Sequence, residues 1–238
     1  MVDFISEVEE ELRKDDYNKF LRKYGPLIVG LLIGVVAVVA FLEYRDYRVE
    51  RTARAAATSY LEADTLLQDG QPAQARAAFL ALADVAPDGY AGLSLMRAAI
   101  IADSEGNPGE AVRLYDLAAD RLDIDRHSDL ARLKAAYVLA NQEQWSDVRQ
   151  RADRIAGEGA PYEYLARELV ATADLNTDNT DEARRGFRYL ATVPGVPATV
   201  ARRAEQAVTL MDTQARAMLP APDDATPAPD APDTPSGD

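Results

Sequence analysis

Residues 24–42 read YGPLIVGLLIGVVAVVAFL, a run of 19 residues in which no side chain is charged. A helix of this length rises about 28 Å, close to the ~30 Å hydrocarbon core of a bilayer. Charged residues bound the run on both sides, and Tyr24, Tyr44 and Tyr47 stand where interfacial aromatic residues usually lie. The stretch predicts a transmembrane helix, because no other part of the chain is apolar enough to enclose it.

A cleaved signal peptide is the alternative to a permanent anchor. The run exceeds the about 7–15 apolar residues of a signal peptide, and the 23 residues before it contain seven acids. We therefore expect an uncleaved signal-anchor. Gly30 and Gly34 form a G-x-x-x-G pair, a spacing that allows two membrane helices to pack closely and that also arises by chance in glycine-containing spans.

Composition limits the classes of function. The 238 residues suffice for one domain beside an anchor, and the absence of cysteine excludes disulfides and thiolate metal sites. A net charge of −14 argues against a nucleic-acid partner, because phosphate binding needs clustered Lys and Arg. Beyond residue 43 β-branched runs are nearly absent and helix formers dominate, so the rest of the chain is expected to be all-α.

The arm before the span gives little information on orientation. In residues 1–23, Phe4, Val8 and Leu12 recur at helical spacing, which fits a short helix at the membrane surface and equally a solvated tail. The arm carries five Lys and Arg and the dozen residues after the span carry four, so the positive-inside rule favours neither side. Residues 43–69 contain no Gly or Pro that would interrupt a helix. This favours a transmembrane helix that continues into the first helix of the following domain.

A pair of residues four positions apart recurs along the rest of the chain. The pairs are Ala75–Phe79, Ala111–Tyr115, Val148–Ala152 and Ala183–Phe187, at intervals of 36, 37 and 35 residues. Turn-forming residues precede them at Gly70, Gly106, Asn141 and Asn176 to Asn179. We predict hairpins of helices at 50–69 with 72–86, 89–104 with 108–122, 128–141 with 145–156 and 161–175 with 180–192, followed by a capping helix at 198–217.

This pattern resembles the tetratricopeptide repeat, in which a small residue precedes an aromatic one by four positions at a period near 34 residues. The third unit departs from the pattern at Val148 and Ala152, although Trp145 in its turn region partly restores the likeness. The predicted fold is all-α: one N-terminal transmembrane helix, a tetratricopeptide-like solenoid of about four helical hairpins, a capping helix and a tail. That tail, residues 220–238, holds six prolines and five aspartates without Lys or Arg and is expected to be disordered.

No residue pattern indicates catalysis, a cofactor or a metal. The single histidine, His127, falls in a polar stretch expected to connect two repeats, and no P-loop, H-E-x-x-H or G-x-S-x-G motif occurs. The acidic run from Asp116 to Asp129 lacks the alternating ligands, central glycine and terminal glutamate of a calcium loop. We therefore predict that the protein is not an enzyme.

Stacked helical hairpins present a concave surface lined by the first helix of each pair. By helical spacing, we expect a protein-binding groove that includes Tyr60, Asp64, Leu67, Leu93, Met96, Ile100, Leu133 and Tyr137, with Ala140, Thr172 and Leu175 at its far end. Aromatic, Met and Leu side chains suit short extended or helical peptides. The same residues also suit a packed core, so both interpretations stay open.

Several stretches resemble the YfgM-like family, whose members are ancillary subunits of the bacterial SecYEG translocon. The stretches are KFLRKYGPLIVGLLIGVVAVVAFLEYRDYR at 19–48, RTARAAATSYLEA at 51–63, YAGLSL at 90–95 and RIAGEGAPYEYLARELVATADL at 154–175. The resemblance covers about residues 17–192 in order, and the acidic start and the Pro/Asp tail depart from it. It rests on architecture and short stretches, not on a catalytic signature.

The resemblance implies a single-pass inner-membrane protein with a cytoplasmic amino terminus and a periplasmic repeat domain. The residue patterns themselves divide the chain into an arm at 1–23, a span at 24–42, repeats at 43–219 and a tail at 220–238. The implied partners are the SecYEG translocon, a membrane-anchored parvulin-like periplasmic chaperone, unfolded secreted proteins and membrane lipid. Alternatives are a membrane-anchored scaffold for another envelope machine, such as cytochrome maturation or cell-wall assembly, and an enzyme without a recognisable motif.

Overall fold

A computed structural model describes residues 3–217, with side chains for residues 22–24 and 26–217. The tail predicted at 220–238 lies outside the described residues, as do the side chains of most of the arm. Within the described range the regular secondary structure is entirely α-helical. The helices are α1 (Asp3–Gln68), α2 (Pro72–Val85), α3 (Asp88–Ser104), α4 (Pro108–Arg121), α5 (Asp125–Asn141), α6 (Trp145–Asp153), α7 (Glu163–Asn176), α8 (Thr180–Thr192) and α9 (Ala198–Ala217). The all-α prediction is confirmed.

The chain divides into two compact units, Met1–Ala91 and Gly92–Asp238, with the division inside α3. In the first unit, α1 runs without a break from the arm through the apolar run into the first repeat, as the sequence favours. Among the described residues, one helical stretch is long and apolar enough to cross a membrane; it begins at Pro26, and none of its apolar window is buried. The stretch therefore differs from the core helix of a soluble domain, which would be mostly buried.

The turn inside each hairpin has the same backbone geometry. One residue per turn has a positive φ: Gly70, Gly106, Glu143 and Asp178, which are 36, 37 and 35 positions apart. The N–H of the following residue donates to the carbonyl five positions earlier, as Gln71 does to Leu66 and Gln144 does to Leu139, at 2.9 and 3.0 Å. This is the Schellman arrangement that ends a helix, and it recurs at the repeat spacing.

The recurring pairs predicted from the sequence are core residues in every repeat. Ala75, Ala111, Val148 and Ala183 are fully buried, and the partners four positions later are buried as well. In the second unit one apolar cluster joins α5, α6 and α7, and another joins α7, α8 and α9. Helix α7 therefore packs on both sides, as expected for stacked hairpins.

Three helix boundaries differ from the sequence expectations by two or three residues, and one turn position differs as well. Helix α5 begins at Asp125 instead of 128, so His127 lies exposed in its first turn and not in a connector. Helix α6 ends at Asp153 instead of 156, and α7 begins at Glu163 instead of 161, because residues 154–162 form turns around Gly157 and Gly159. The third turn has its left-handed residue at Glu143, not at Asn141.

Candidate functional site

The predicted groove residues of the first unit take part in packing. Tyr60 is half-buried, and its ring lies edge-on to Phe79 with centroids 5.1 Å apart and tilted against Tyr90 at 6.3 Å. Asp64 is also half-buried and accepts a hydrogen bond from Gln68 at 3.0 Å. Leu67 is half-buried next to the turn. Of the three, Tyr60 joins α1 to α2 through its contact with Phe79, whereas the Asp64 hydrogen bond lies within α1.

The remaining predicted groove residues separate into core and surface. Met96 and Leu133 are buried, with 8% and 3% of their surfaces exposed, so they line no groove. Leu133 packs in the cluster between α5, α6 and α7. In contrast, Leu93 and Ile100 on α3 and Tyr137 on α5 are exposed. The expectation that all of these form one surface is corrected for Met96 and Leu133, which are buried although each shares a helical face with an exposed residue.

A cleft of about 430 Å³ forms where α5 and α7 face each other, and we call it the α5–α7 cleft. Its α5 wall contains Tyr137, Ala140 and Asn141, which lie at i, i+3 and i+4 and so share one face. The structure thus brings together Tyr137, Ala140 and Thr172, three residues expected in the groove. Leu175 instead packs against the last apolar cluster.

Five residues that were absent from the predicted groove complete the cleft. They are Asn141, Trp145, Glu168, Leu169 and Arg203. Trp145 is the protein's single tryptophan and the first residue of α6. A large aromatic residue beside a turn is a sequence feature from which a binding surface could have been predicted. Arg203 lies on α9, which was expected to act only as a cap.

An ion pair closes one end of the cleft. The Arg203 guanidinium donates from Nε to Glu168 Oε1 at 2.6 Å and from Nη2 to Oε2 at 2.5 Å. This two-pronged geometry fixes both side chains, and the hydrogen bond to Glu168 raises the pKa of Arg203. Arg203 is half-exposed while the Glu168 carboxylate is largely covered. The pair therefore presents an oriented cation at the rim.

Tyr137 stays an uncharged hydrogen-bonding group. Burial raises the pKa of its phenol, the Glu168 carboxylate raises it further, and Arg203 opposes the rise. The side chain therefore keeps its O–H at neutral pH. The cleft offers aromatic surface from Tyr137 and Trp145, small apolar surface from Ala140, and a polar rim, a combination that suits an extended peptide segment.

A second cleft, of about 470 Å³, lies on the opposite side of α7, and we call it the α7–α8 cleft. Val170, Ala171 and Gly186 line it, and the Arg167 guanidinium lies 4.9 Å from the centroid of the Tyr189 ring. A Cβ atom on Gly186 would come within 2.9 Å of the Ala171 Cβ, so glycine permits the close approach of α7 and α8.

Within the described residues, no group of three or more His, Cys, Asp or Glu side chains is placed to hold a metal ion. The buried carboxylates in this part of the chain, Glu163 and Asp174, accept hydrogen bonds from neighbouring residues. Glu163 accepts hydrogen bonds from Gly159 N–H and Arg167 Nε at 2.8 and 2.9 Å, and Asp174 accepts one from Arg149 Nε at 2.6 Å.

Comparison with known proteins gives one match. The model of a family described as a tetratricopeptide repeat-like domain matches residues 18–193, which is well over half of the chain. The match begins before the apolar run and ends after α8, so it includes α1 from residue 18 onward together with the hairpins. No curated protein and no solved structure matches the chain.

Proposed function

Because the chain belongs to the tetratricopeptide repeat-like domain family, we propose that it is a membrane-anchored protein-binding module that serves as an accessory subunit of the SecYEG translocon. It meets secreted chains as they emerge and passes them to a membrane-anchored, parvulin-like periplasmic chaperone. The observation that carries this proposal is α1, in which an apolar run long enough to span a bilayer and the first helix of a repeat hairpin are one helix. Repeat domains of this family are generally non-catalytic, and their partners are proteins.

The proposed domain organisation follows α1. Residues 1–23 form the cytoplasmic arm, 24–42 cross the inner membrane, 43–219 form the periplasmic repeat domain and 220–238 form the tail. Since α1 is continuous, the first hairpin is held near the bilayer instead of hanging on a flexible linker. That position suits a protein that receives chains at the mouth of a membrane channel.

The proposed binding surface is the α5–α7 cleft. Unfolded chains present extended segments with apolar side chains, and Tyr137 and Trp145 offer broad apolar faces at low cost in side-chain entropy. The Arg203–Glu168 pair at the rim orients polar groups of the segment. Exposed Leu93 and Ile100 on α3 extend the apolar surface of the same unit.

Site-specific photocrosslinking in living cells tests the partner. A photoreactive amino acid is placed at Tyr137 or Thr172 in the α5–α7 cleft, and at Tyr189, on the other side of α7, as a matched control. Adducts are identified by mass spectrometry. We expect translocon subunits, the anchored chaperone or secreted chains at the two cleft positions and much weaker labelling at Tyr189.

Other outcomes contradict the proposal in distinct ways. Adducts only to an unrelated envelope complex would instead support a scaffold for another assembly machine. Equal adducts at Tyr189 and Tyr137 would refute the cleft as the binding surface.

Topology is tested separately with single cysteines. The chain contains no cysteine, so Ser6→Cys in the arm and Ser146→Cys at an exposed position in the first turn of α6 each create one labelling site. A membrane-impermeant maleimide, applied to cells with a permeabilised outer membrane, should label position 146 and not position 6. The reverse pattern would place the repeat domain in the cytoplasm and exclude the translocon-exit role.

A further inference from the structure

The segment that follows the apolar run carries its charges on separate faces. Residues 43–52 of α1 are all exposed. Tyr44, Tyr47, Arg48 and Arg51 lie at i, i+3, i+4 and i+7 and so form one stripe along the helix. We call these four residues the Tyr-Arg stripe.

The acids of the segment lie on an adjoining face of the helix. Glu43, Asp46 and Glu50 recur at i, i+3 and i+7, and their face is centred about 120° around the helix from the centre of the Tyr-Arg stripe. Two other arginines pair with them: Arg45 Nε lies 3.8 Å from Asp46, and Arg54 donates to Glu50. Among the described residues, neither Arg48 nor Arg51 forms an ion pair with an acid. The uncompensated positive charge of this segment is therefore concentrated on the stripe.

The stripe begins within the headgroup layer and extends beyond it. At 1.5 Å per residue, Arg48 lies about 9 Å and Arg51 about 13 Å beyond Leu42, while the headgroup region is roughly 5–7 Å thick on each side of the hydrocarbon core. Helical side chains lean toward the amino terminus, which here is the membrane side, and arginine extends its charged end toward the interface. Both guanidinium groups therefore reach phosphate oxygens within about one Debye length of ~8 Å.

We propose that the Tyr-Arg stripe binds anionic phospholipid headgroups in the leaflet where α1 leaves the bilayer. The proposal rests on the proposed membrane span. Arg48 and Arg51 bind the phosphate oxygens, and Tyr44 and Tyr47 lie at the boundary between the acyl chains and the headgroups. Since α1 continues into the first hairpin, lipid bound on one side of the helix fixes the rotation of that hairpin about the membrane normal.

Native mass spectrometry of the full chain, released from detergent micelles, tests this proposal. The added lipid is phosphatidylglycerol or phosphatidylcholine with identical acyl chains. The test variant is Arg48→Gln/Arg51→Gln, and the control is Arg45→Gln/Arg54→Gln, which removes the same charge from arginines that already pair with acids. Each basic residue near an anionic surface raises binding by a factor of about five, so the test variant should lose about 25-fold in preference for phosphatidylglycerol, and the control less than about threefold.

Three results would overturn the proposal: no phosphatidylglycerol preference in the unaltered chain, an unchanged preference in the test variant, or equal losses in both variants. Extraction of cell membranes with alkaline carbonate separates this failure from failure of the proposed function. A chain that leaves the membrane in carbonate has no span, and both proposals fall. A chain that stays in the membrane without a headgroup preference refutes the lipid site alone.

Discussion

Arg203 and Glu168 lie 35 positions apart, about one repeat, and their side chains meet in a two-pronged ion pair between α9 and α7. Arg151 and Asp116, also 35 positions apart, form a pair between α6 and α4. Each pair joins equivalent helices of consecutive repeats. Ion pairs at the repeat spacing therefore connect neighbouring hairpins beside their apolar contacts.

Arg203→Gln is expected to destabilise the protein by about 1 kcal/mol, because it leaves the largely covered Glu168 carboxylate without its partner. The half-exposed position of Arg203 keeps the loss at the low end of such values. Arg185→Gln is the matched control, since its partner Glu182 is exposed on the same helix, and it should destabilise the protein clearly less than Arg203→Gln. Urea unfolding of the full chain in detergent, followed by circular dichroism, measures both. Equal losses would show that the pair between α9 and α7 adds nothing beyond a surface contact.

Glu143→Gly is expected to stabilise the protein by about 0.5–1 kcal/mol. Glu143 has a φ of 57° in the third turn, a conformation that costs an L-residue roughly 1–2 kcal/mol, part of which the greater unfolded-state entropy of glycine offsets. Asp178→Gly, at a φ of 62°, should give a smaller gain because aspartate tolerates this region better. Gly106→Ala, at a φ of 79°, should lose about 1 kcal/mol. Thermal unfolding ranks the three variants, and a destabilised Glu143→Gly would contradict the strain argument.

Gly186→Ala is expected to cost about 1–3 kcal/mol through overpacking, because its Cβ would lie 2.9 Å from the Ala171 Cβ. Gly109→Ala in α4 is the control: no atom lies within 4 Å of its added Cβ, and alanine in an open helical position stabilises by up to about 1 kcal/mol. Urea midpoints measure both changes. Adding Ala171→Gly to Gly186→Ala should recover part of the loss, and a failure to do so would locate the cost elsewhere than in this contact.

The sequence predicted the helices well because one period controls both packing and turns. Ala75 and its three equivalents are all fully buried, so the spacing of small residues identified the core of every repeat. Even the third repeat, where Val148 and Ala152 depart from the family pattern, keeps the same turn, formed by Glu143. Because backbone hydrogen bonds hold Glu143 at a positive φ, no glycine marks this turn in the sequence, and the turn could not be located from residue types alone.

The site was harder to predict from the sequence. Residue spacing shows which side chains share a helical face, but it does not show which parts of that face other helices cover. Met96 and Leu133 share helical faces with exposed residues yet are buried by adjacent helices. Arg203 reaches the α5–α7 cleft only because α9 packs against α7 and α8, a tertiary arrangement with no local signal. Tyr137 was predicted because it is an aromatic residue on the first helix of a hairpin.

Alkaline pH is expected to destabilise the protein through Tyr115. Burial raises the pKa of this phenol to about 12, with a further contribution from Asp103. In the unfolded chain the phenol ionises near pH 10. Between about pH 10 and 12 the unfolded state therefore binds fewer protons than the native state, and stability falls as pH rises. Below pH 10 both states are protonated and this group causes no pH dependence.

Tyr115→Phe should reduce the fall in the free energy of unfolding above pH 10. The part of this fall that is due to Tyr115 is at most about 2.7 kcal/mol for a pKa difference of two. Urea midpoints at pH 8, 9, 10, 11 and 11.5 provide the measurement for the unaltered chain and the variant. The two curves should run parallel up to about pH 10 and then diverge, the variant losing less stability at each higher pH. Tyr137→Phe is the comparison, because its phenol is more exposed and its pKa, although raised, is held down by Arg203. If Tyr115→Phe leaves the slope above pH 10 unchanged, the phenol of Tyr115 ionises at the same pH in the folded and unfolded chains, and its burial does not limit alkaline stability.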